Sequence, residues 1–404
     1  MKIGVLLDNE FTIDLRVSNE VHYLKSIGYE IHVLCPNFGD HKNFELLDGI
    51  SIHRFSLNKV IKNKLFGIMN TLPLYELFWI RKTKEFVRKV QPHYLHAHDL
   101  YMAKIAYLGG RKIIPLILDL HENYPEAFKT YKWVTRFPYN IVSKPKAWEN
   151  KEKKYLAYAS RIIVLSRHFK NQLINKYPGI KSDHIFVYPN VPDVKKLLSY
   201  PIATNLYPKL DRFILFYFGG ISERRGIFTC FEAIKLLADK IPDIHLLLIG
   251  PVDGHEQAVF KNYLNDPIIS NKITHYSWKD ISEFPSYVFS SDVCLSPIYK
   301  NKQHESGVAN KIFQYMLFGK PLIVSDCIPQ VDLVESENCG LVYKSGNAED
   351  LSHQILKLFS NRSLAEQMGM NGRQAVLNTY NLINCGEQLK LLYTSLLKST
   401  SNEQ

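Results

Sequence analysis

Residues 213–226 read Phe-Ile-Leu-Phe-Tyr-Phe-Gly-Gly-Ile-Ser-Glu-Arg-Arg-Gly, and this stretch decides the fold. Phe213–Phe218 is an apolar run of β-forming side chains, and a helical pattern resumes after Gly226. Between them, Gly219, Gly220 and Gly226 let the backbone approach a ligand closely. The helix start offers free N–H groups, and Arg224 and Arg225 match phosphate oxygens in bidentate fashion. Strand, glycine turn with paired arginines, and helix together describe a diphosphate site on a parallel α/β sheet. The turn is neither a Walker A loop nor a GxGxxG fingerprint.

Downstream, His304-Glu305-Ser306-Gly307-Val308-Ala309-Asn310-Lys311 follows a strand at Val293–Ser296 and runs into a helix over Ile312–Phe318. A polar, glycine-containing loop that opens a helix is a second anion site, with its helix start at Gly307–Val308 and with Glu305 placed to accept hydrogen bonds from sugar hydroxyls. Two such sites imply a nucleotide sugar as ligand.

Working outward, the strand–helix rhythm continues through Ile244–Ile249, Lys272–Tyr276, Asp292–Ser296, Pro321–Ser325 and Gly340–Tyr343. Toward the N-terminus it pauses at 189–211, where Pro189, Pro192, Pro201 and Pro208 lie in a stretch without period, the pattern of a linker or hinge. Before the pause, strands are expected at Lys2–Asp8, Glu30–Cys35, Ile50–Phe55, Tyr94–Ala97, Ile114–Asp119, Arg161–Leu165 and Ile185–Tyr188. Helices are expected between them at Val17–Ile27, Leu74–Val90, Tyr101–Leu108, Trp148–Tyr158 and His168–Lys176. The end of the chain reads as helices only, at Asn347–Leu358, Leu364–Asn378 and Ile383–Leu397, with a frayed polar tail at Ser399–Gln404. The 404 residues are too many for one core. The expected architecture is α/β, two Rossmann-like doubly wound domains facing each other across a cleft: 1–195, 196–380, and a C-terminal helix over 381–404 packing back on the first.

Composition narrows the class. At 46% hydrophobic and 22% charged residues the chain is an ordinary globular one. Ile3–Leu7 gives way at once to Asp8, Asn9 and Glu10, which does not read as an export signal. Leu65–Ile80 is broken by Asn70, Thr71, Pro73 and Glu76, short of a bilayer span. The six cysteines, Cys35, Cys230, Cys294, Cys327, Cys339 and Cys385, form no CxxC pair, no histidine stands at zinc-ligand spacing, and they read as buried thiols of a reducing cytoplasm. The net charge of +11 favours acidic partners such as nucleotide phosphates and phospholipid headgroups. Two segments mix basic and aromatic residues as a membrane interface does. One holds Lys129, Lys132, Arg136, Lys144, Lys146, Lys151, Lys153 and Lys154 with Tyr131, Trp133, Phe137, Tyr139 and Trp148. The other runs over 59–89 with Leu65, Phe66, Leu72, Leu77 and Trp79 among lysines and arginines. No nucleic-acid-binding motif accompanies either.

These strings resemble the retaining glycosyltransferases of family 4, which have the GT-B fold. The resemblance rests on Asp14-Leu15-Arg16-Val17, LHAHD (95–99), DLHE (119–122), ASRIIVLSRHFKNQL (159–173) and VYPNV (187–191) in the first half. In the second it rests on FGGISERRG, LLLIGP (246–251), SSDVCLSP (290–297) and NKIFQYMLFGKPLIVSD (310–326). It implies that Arg225 contacts the donor diphosphate with Arg224 beside it, that His121 lies beside the sugar, and that Arg16 lies near donor phosphate or acceptor. It further implies that Gly219, Gly220, Glu305, Ser306, Gly307, Val308, Asn310 and Lys311 hold diphosphate and sugar, with Tyr276 and Trp278 near the base. Asp14, His98, Asp99, Glu122 and Ser166 fall in its acceptor segments. One departure is visible. The family often carries two glutamates separated by seven residues, the second binding ribose; here that position is Gln314, and eight back stands Ser306.

The activity so implied is a hexosyl-type glycosyltransferase with His121, Arg225 and Lys311 at its catalytic centre. It would move a sugar from a UDP- or GDP-sugar to a glycan or polyprenyl-linked acceptor in bacterial surface polysaccharide synthesis. No cofactor and no metal are expected, because the chain has no Asp-x-Asp triplet and its cationic groups would stabilise the leaving diphosphate instead. A sugar-nucleotide epimerase of the same fold, and a non-catalytic sugar-nucleotide or glycan-binding homologue, are the alternatives. The expected location is the cytoplasm, with peripheral contact at the inner face of the cell membrane.

Overall fold

The computed structural model describes residues 1–131, 134, 137, 143, 144, 146–207, 209 and 211–401. Of the residues singled out above, Lys132, Trp133, Arg136, Tyr139, Pro208 and the last three residues of the tail Ser399–Gln404 lie outside them. The chain divides into two compact units, Met1–Pro189 with Leu382–Gln404, and Asn190–Asn381. The division falls at 189/190, six residues before the 195/196 expected.

The first unit is built on an eight-stranded sheet: β1 (Lys2–Leu6), β2 (Glu30–Asn37), β3 (Phe44–Leu47), β4 (Ile50–Ser56), β5 (Tyr94–His98), β6 (Leu116–Asp119), β7 (Arg161–Val164) and β8 (Ile185–Val187), in the order β3-β4-β2-β1-β5-β6-β7-β8. Every pairing is parallel except β3 with β4. Strands β5 and β6 are buried along their whole length, as a parallel sheet covered on both faces requires. The antiparallel β3 is absent from the sequence expectation. Its turn is Asp48-Gly49, with φ of 49° and 73°, the left-handed pair that a tight hairpin uses.

Helices expected at Leu74–Val90 and His168–Lys176 form there, the second as Arg167–Lys176, and Arg81, Lys84 and Arg88 lie on the exposed face of the first. Trp148 does not belong to an exposed band. It is 1% exposed and meets Tyr124 edge-on at 4.8 Å between ring centres. Helical period puts it on the inner face of Ala147–Leu156, where an indole gains more from burial than from solvent.

The last helix, Leu382–Ser401, belongs to the first unit and runs on past Ser399, where fraying was expected. Its Leu389, Leu392, Tyr393 and Leu396 are buried. The Tyr23 hydroxyl donates to Glu387 (3.1 Å), Arg161 donates to Ser395 Oγ (2.9 Å), and Tyr393 Oη pairs with His96 Nδ1 (3.0 Å).

The second unit carries β9 (Phe213–Phe218), β10 (Ile244–Ile249), β11 (Ile273–Tyr276), β12 (Val293–Ser296), β13 (Leu322–Ser325) and β14 (Gly340–Tyr343), all parallel, in the order β11-β10-β9-β12-β13-β14. The periodless segment before it contains a short helix, Val194–Ser199, capped by Asp193, whose carboxylate accepts from Lys196 N. All six cysteines are free and buried.

Replacing the fully buried Tyr393 by alanine removes an aromatic side chain from the contact of the last helix with the sheet. The expected loss is about 3–5 kcal/mol in chemical denaturation. A change of about 0.5 kcal/mol or less, the size of a surface substitution, would show that the helix does not support the unit.

Candidate functional site

In the second unit the glycine turn after β9 is held from several sides. Gly219 N donates to Ile249 O (2.8 Å), the Tyr217 hydroxyl donates to Gly220 O (2.8 Å), and Phe218 N donates to the Tyr315 hydroxyl (2.8 Å). The single turn Glu223–Arg225 then ends at Gly226, where φ is 72°. A side chain there would meet the Pro297 carbonyl oxygen at 1.8 Å. Only glycine fits, so Arg224 and Arg225 are displayed at the mouth of the helix Ile227–Leu237.

The helix carrying Lys311 starts at Asn310 and not at Gly307–Val308. Gly307 is extended, and no side chain caps this helix start. Lys311 is half-buried, with Nζ 3.8 Å from the centre of the Tyr217 ring. Burial and the neighbouring Arg225 hold its ammonium well below the ordinary lysine range. His304 is pushed down to about 4 by burial together with Arg225, Arg224 and Lys311, against the pull of the Tyr299 carbonyl. Like charges are thus held close around this turn, which is the electrostatic shape of an anion site.

Around them, Glu305 Oε1 lies 4.0 Å from Lys300 Nζ and accepts no hydrogen bond. Ser306 Oγ donates to Gln303 O (2.7 Å), and Asn310 Nδ2 donates to Asn190 Oδ1 (3.1 Å). Gln314 is buried one turn beyond Asn310, on the same helix face. At the end of β11, Tyr276 is half-buried and Trp278 is 71% exposed.

In the first unit the ends of β5 and β6 bring a second group together. Arg16 is buried, with Nε and Nη2 donating to the two oxygens of Asp119 (3.0 and 2.9 Å) and Nη1 and Nη2 to Tyr188 O (both 3.2 Å). Burial opposes its charge, but Asp119 outweighs burial and raises its pKa. Arg16 therefore braces the unit, where the resemblance implies contact with phosphate or acceptor. His121 Nε2 lies 3.0 Å from His98 Nδ1 and 3.2 Å from Asp119 Oδ2. Burial works against the His121 cation, but Asp99 and Asp119 hold its pKa up at about 9. Asp99 has a left-handed backbone, φ 73°, and burial raises its carboxyl to about 6. Glu122 accepts from the Tyr131 hydroxyl (3.2 Å). Asp14 and Ser166 act as helix N-caps, accepting from Val17 N and Phe169 N (both 3.1 Å).

Residues 16–196 match the family model described as Glycosyltransferase Family 4, and residues 203–375 match that of Glycosyl transferases group 1. The chain belongs to the family 4 type glycosyltransferases. Among its relatives is the capsular polysaccharide biosynthesis glycosyltransferase CapM of Staphylococcus aureus, 25% identical over 199 residues, a match spanning 49% of this chain and 50% of CapM. Sucrose-phosphate synthase of Thermosynechococcus elongatus shares the fold with a TM-score of 0.78 at 18% identity, over 98% of this chain and 99% of that one. HepE of Anabaena, solved with UDP and glucose, does so with a TM-score of 0.70 at 16% identity, over 98% and 100%. The fold of this glycosyltransferase is GT-B, two parallel-sheet α/β domains.

Sequence reasoning missed several members of the first-unit group: Glu20, His96, Asp119 and Tyr188. Arg16 and Glu20 are four apart on the helix Leu15–Ser26, and His96 and His98 are two apart on β5, so each pair shares a face. That periodicity was the available signal. Among the described residues, Glu20, His96, His98 and Asp119 are a group that could hold a metal ion, with one ligand atom from each within 4.8 Å of the others.

Replacing Arg16 by methionine leaves Asp119 buried without its principal partner. The expected cost is about 3–5 kcal/mol of stability, read by denaturant unfolding. Asp14→Ala should cost about 1 kcal/mol, the value of one cap. If both variants lose equally little, the brace assigned to Arg16 is wrong.

Proposed function

We propose that this glycosyltransferase moves a hexosyl group from a nucleotide-diphosphate sugar to a hydroxyl of a glycan or lipid-linked acceptor, with retention of configuration. The observation that carries the reading is the clustering of Arg224, Arg225 and Lys311 around the Gly219-Gly220 turn, with Lys311 depressed by burial and by Arg225. A diphosphate relieves that repulsion. The solved complex of HepE with UDP supports a nucleotide donor, and the likeness to CapM supports a role in bacterial surface polysaccharide synthesis.

In the proposed reaction the bond from the anomeric carbon to the diphosphate oxygen breaks and a bond to the acceptor oxygen forms on the same face. The acceptor proton passes to the leaving phosphate, so no dedicated base is assigned. Arg225 and Lys311 meet the charge that grows on the diphosphate, and the uncapped helix start at Asn310 adds its N–H groups. These cations do this work without a divalent ion on the diphosphate. Glu305, Ser306 and Asn310 bind the sugar side, Gln314 the ribose, and Tyr276 and Trp278 the base. His121, cationic at neutral pH, meets the transferred sugar.

Gln314 favours a second reading, a homologue that binds sugar nucleotides without turnover. A neutral amide bonds a ribose hydroxyl about half as strongly as a carboxylate does. Thermal unfolding against UDP-, GDP-, ADP- and dTDP-sugars with EDTA present tests donor binding. A ligand at 100 times its dissociation constant adds about 2.7 kcal/mol. One donor should give a selective upward shift that Arg225→Ala abolishes, and that variant should lose about 100-fold or more in turnover with a competent acceptor. Donor binding without turnover would leave the second reading standing, and no shift with any donor would remove the first.

Membrane contact is proposed on the second basic-apolar segment and not on the first. Val60, Ile61, Leu72, Leu74 and Leu77 are exposed there beside the exposed Lys59, Lys64, Arg81 and Lys84. In the first, Trp148 is buried and Lys151 donates to Asn70 Oδ1 at 2.7 Å. Among the described residues no helix is long and apolar enough to cross a membrane. Lys59→Glu with Lys64→Glu should release the protein from anionic vesicles in sedimentation while leaving donor binding intact, and undiminished sedimentation would refute the surface.

A further inference from the structure

Behind the His98–His121 contact, the first unit holds a set of buried polar atoms that the proposed transfer does not use. Glu20 and His96 are fully buried and His98 is 1% exposed. Both carboxylate oxygens of Glu20, Nε2 of His96 and Nε2 of His98 have no hydrogen-bond partner. Four such atoms in one place are unusual, since a buried polar group without a partner costs about 1–3 kcal/mol.

Their arrangement is specific. His96 and His98 stand two apart on β5 with rings stacked 4.7 Å apart and 16° from parallel. Each uses Nδ1 inward: His96 with the Tyr393 hydroxyl at 3.0 Å, and His98 with His121 Nε2 at 3.0 Å. Each keeps Nε2 free. Glu20 Oε1 lies 3.4 Å from His96 Nε2, and Asp119 Oδ2 lies 3.4 Å from His98 Nδ1. Metal sites use histidines that donate one ring N–H and ligate through the other nitrogen; for His98 this requires Nδ1 to donate to His121 Nε2, so an ion at His98 Nε2 displaces the Nε2 proton of His121.

We propose that Glu20, His96, His98 and Asp119 bind a divalent cation of the zinc class inside the first unit. Two imidazoles and two carboxylates are a zinc-type donor set, and one donor atom from each already lies within 4.8 Å of the rest. Charge agrees: with Asp99 beside His121, the carboxylates of Glu20, Asp119 and Asp99 outnumber the cations of Arg16 and His121. Arg16 uses one lone pair on each Asp119 oxygen and His121 lies against Oδ2, which leaves one of about four carboxylate sites, on Oδ1, for an ion. The competing way to neutralise the cluster is a proton on Glu20, whose carboxyl burial and Asp119 raise well above its ordinary value and which then donates to Asp119; that leaves Nε2 of His96 and of His98 without partners, while an ion takes both together with a Glu20 oxygen. The ion belongs to the first unit and holds β5, β6 and the helix Leu15–Ser26 together from within. It is separate from the diphosphate site proposed for the second unit. Spacing along the chain does not display this set, because Glu20 and Asp119 lie far from the His96–His98 pair in sequence.

The test loads the full-length protein with zinc, removes the free metal by gel filtration, and counts the retained ion by mass spectrometry. About one zinc per chain is expected, dropping about tenfold or more in His96→Gln and in Glu20→Gln. Loading with cobalt instead should give the visible d–d absorption of a four-coordinate nitrogen–oxygen site, a measurement that needs no variant to fold. Absence of both retained zinc and the cobalt band overturns the proposal. So does zinc retained undiminished by folded His96→Gln and Glu20→Gln variants, which would place it elsewhere. Donor-induced thermal shifts are read separately in the same samples, so failure of the metal site leaves the transferase reading standing and the reverse also holds.

Discussion

A parallel sheet covered on both faces has only one place for polar chemistry, the edge where its strands end. Along β6, β9 and β10, and along β5 apart from His96, the side chains short of the strand ends are apolar or hydrogen-bonded, and backbone pairing accounts for the main-chain polar atoms. At the carboxyl ends this changes within a residue or two: His98 closes β5, Asp119 closes β6 with His121 two residues on, and Gly219-Gly220 follows β9. In both units the candidate residues sit where the sheet can no longer satisfy them. The helix starts that follow supply N–H groups in the same place, which is why sites in such folds collect there.

The two units resolve their charges differently. In the first, Arg16 faces Asp119, and His121 lies between Asp119 and Asp99. That pairing holds Asp119 well below the usual carboxylate range in spite of burial, and keeps His121 cationic. In the second, Arg224, Arg225 and Lys311 crowd together, and the strain appears as a depressed Lys311 and a neutral His304. A compensated cluster stabilises its own unit, whereas a cluster of one sign is stabilised by a ligand of the other. The first is suited to orienting side chains, the second to gripping an anion.

Much of the fold was legible because apolar runs bounded by turn residues are local signals. Phe213–Phe218, Ile244–Ile249 and Gly340–Tyr343 formed over the spans expected of them. The edge strand β3 was not, since Phe44-Glu45-Leu46-Leu47 is half exposed and lacks a buried run; its Asp48-Gly49 turn carried the usable clue. Trp148 misled because aromatic and basic residues mixed along a sequence can be separated by helical period in space. The donor-side residues were readable as strings, whereas the first-unit network was not. Arg16 and Asp119 are 103 residues apart, and Tyr393 reaches His96 across 297. A motif shows what lies next to it along the chain; a buried polar network is assembled by topology.

The central claim is that the cations of the second unit await a nucleoside diphosphate. Calorimetric titration of the protein with UDP and GDP, repeated in buffers of different ionisation enthalpy, tests it most directly. Because burial and Arg225 depress Lys311, an arriving diphosphate should raise its pKa, so binding should take up a proton, and Lys311→Met should bind more weakly without uptake. Absence of binding by both nucleotides, or binding that Arg225→Ala and Lys311→Met leave unchanged, would contradict the account.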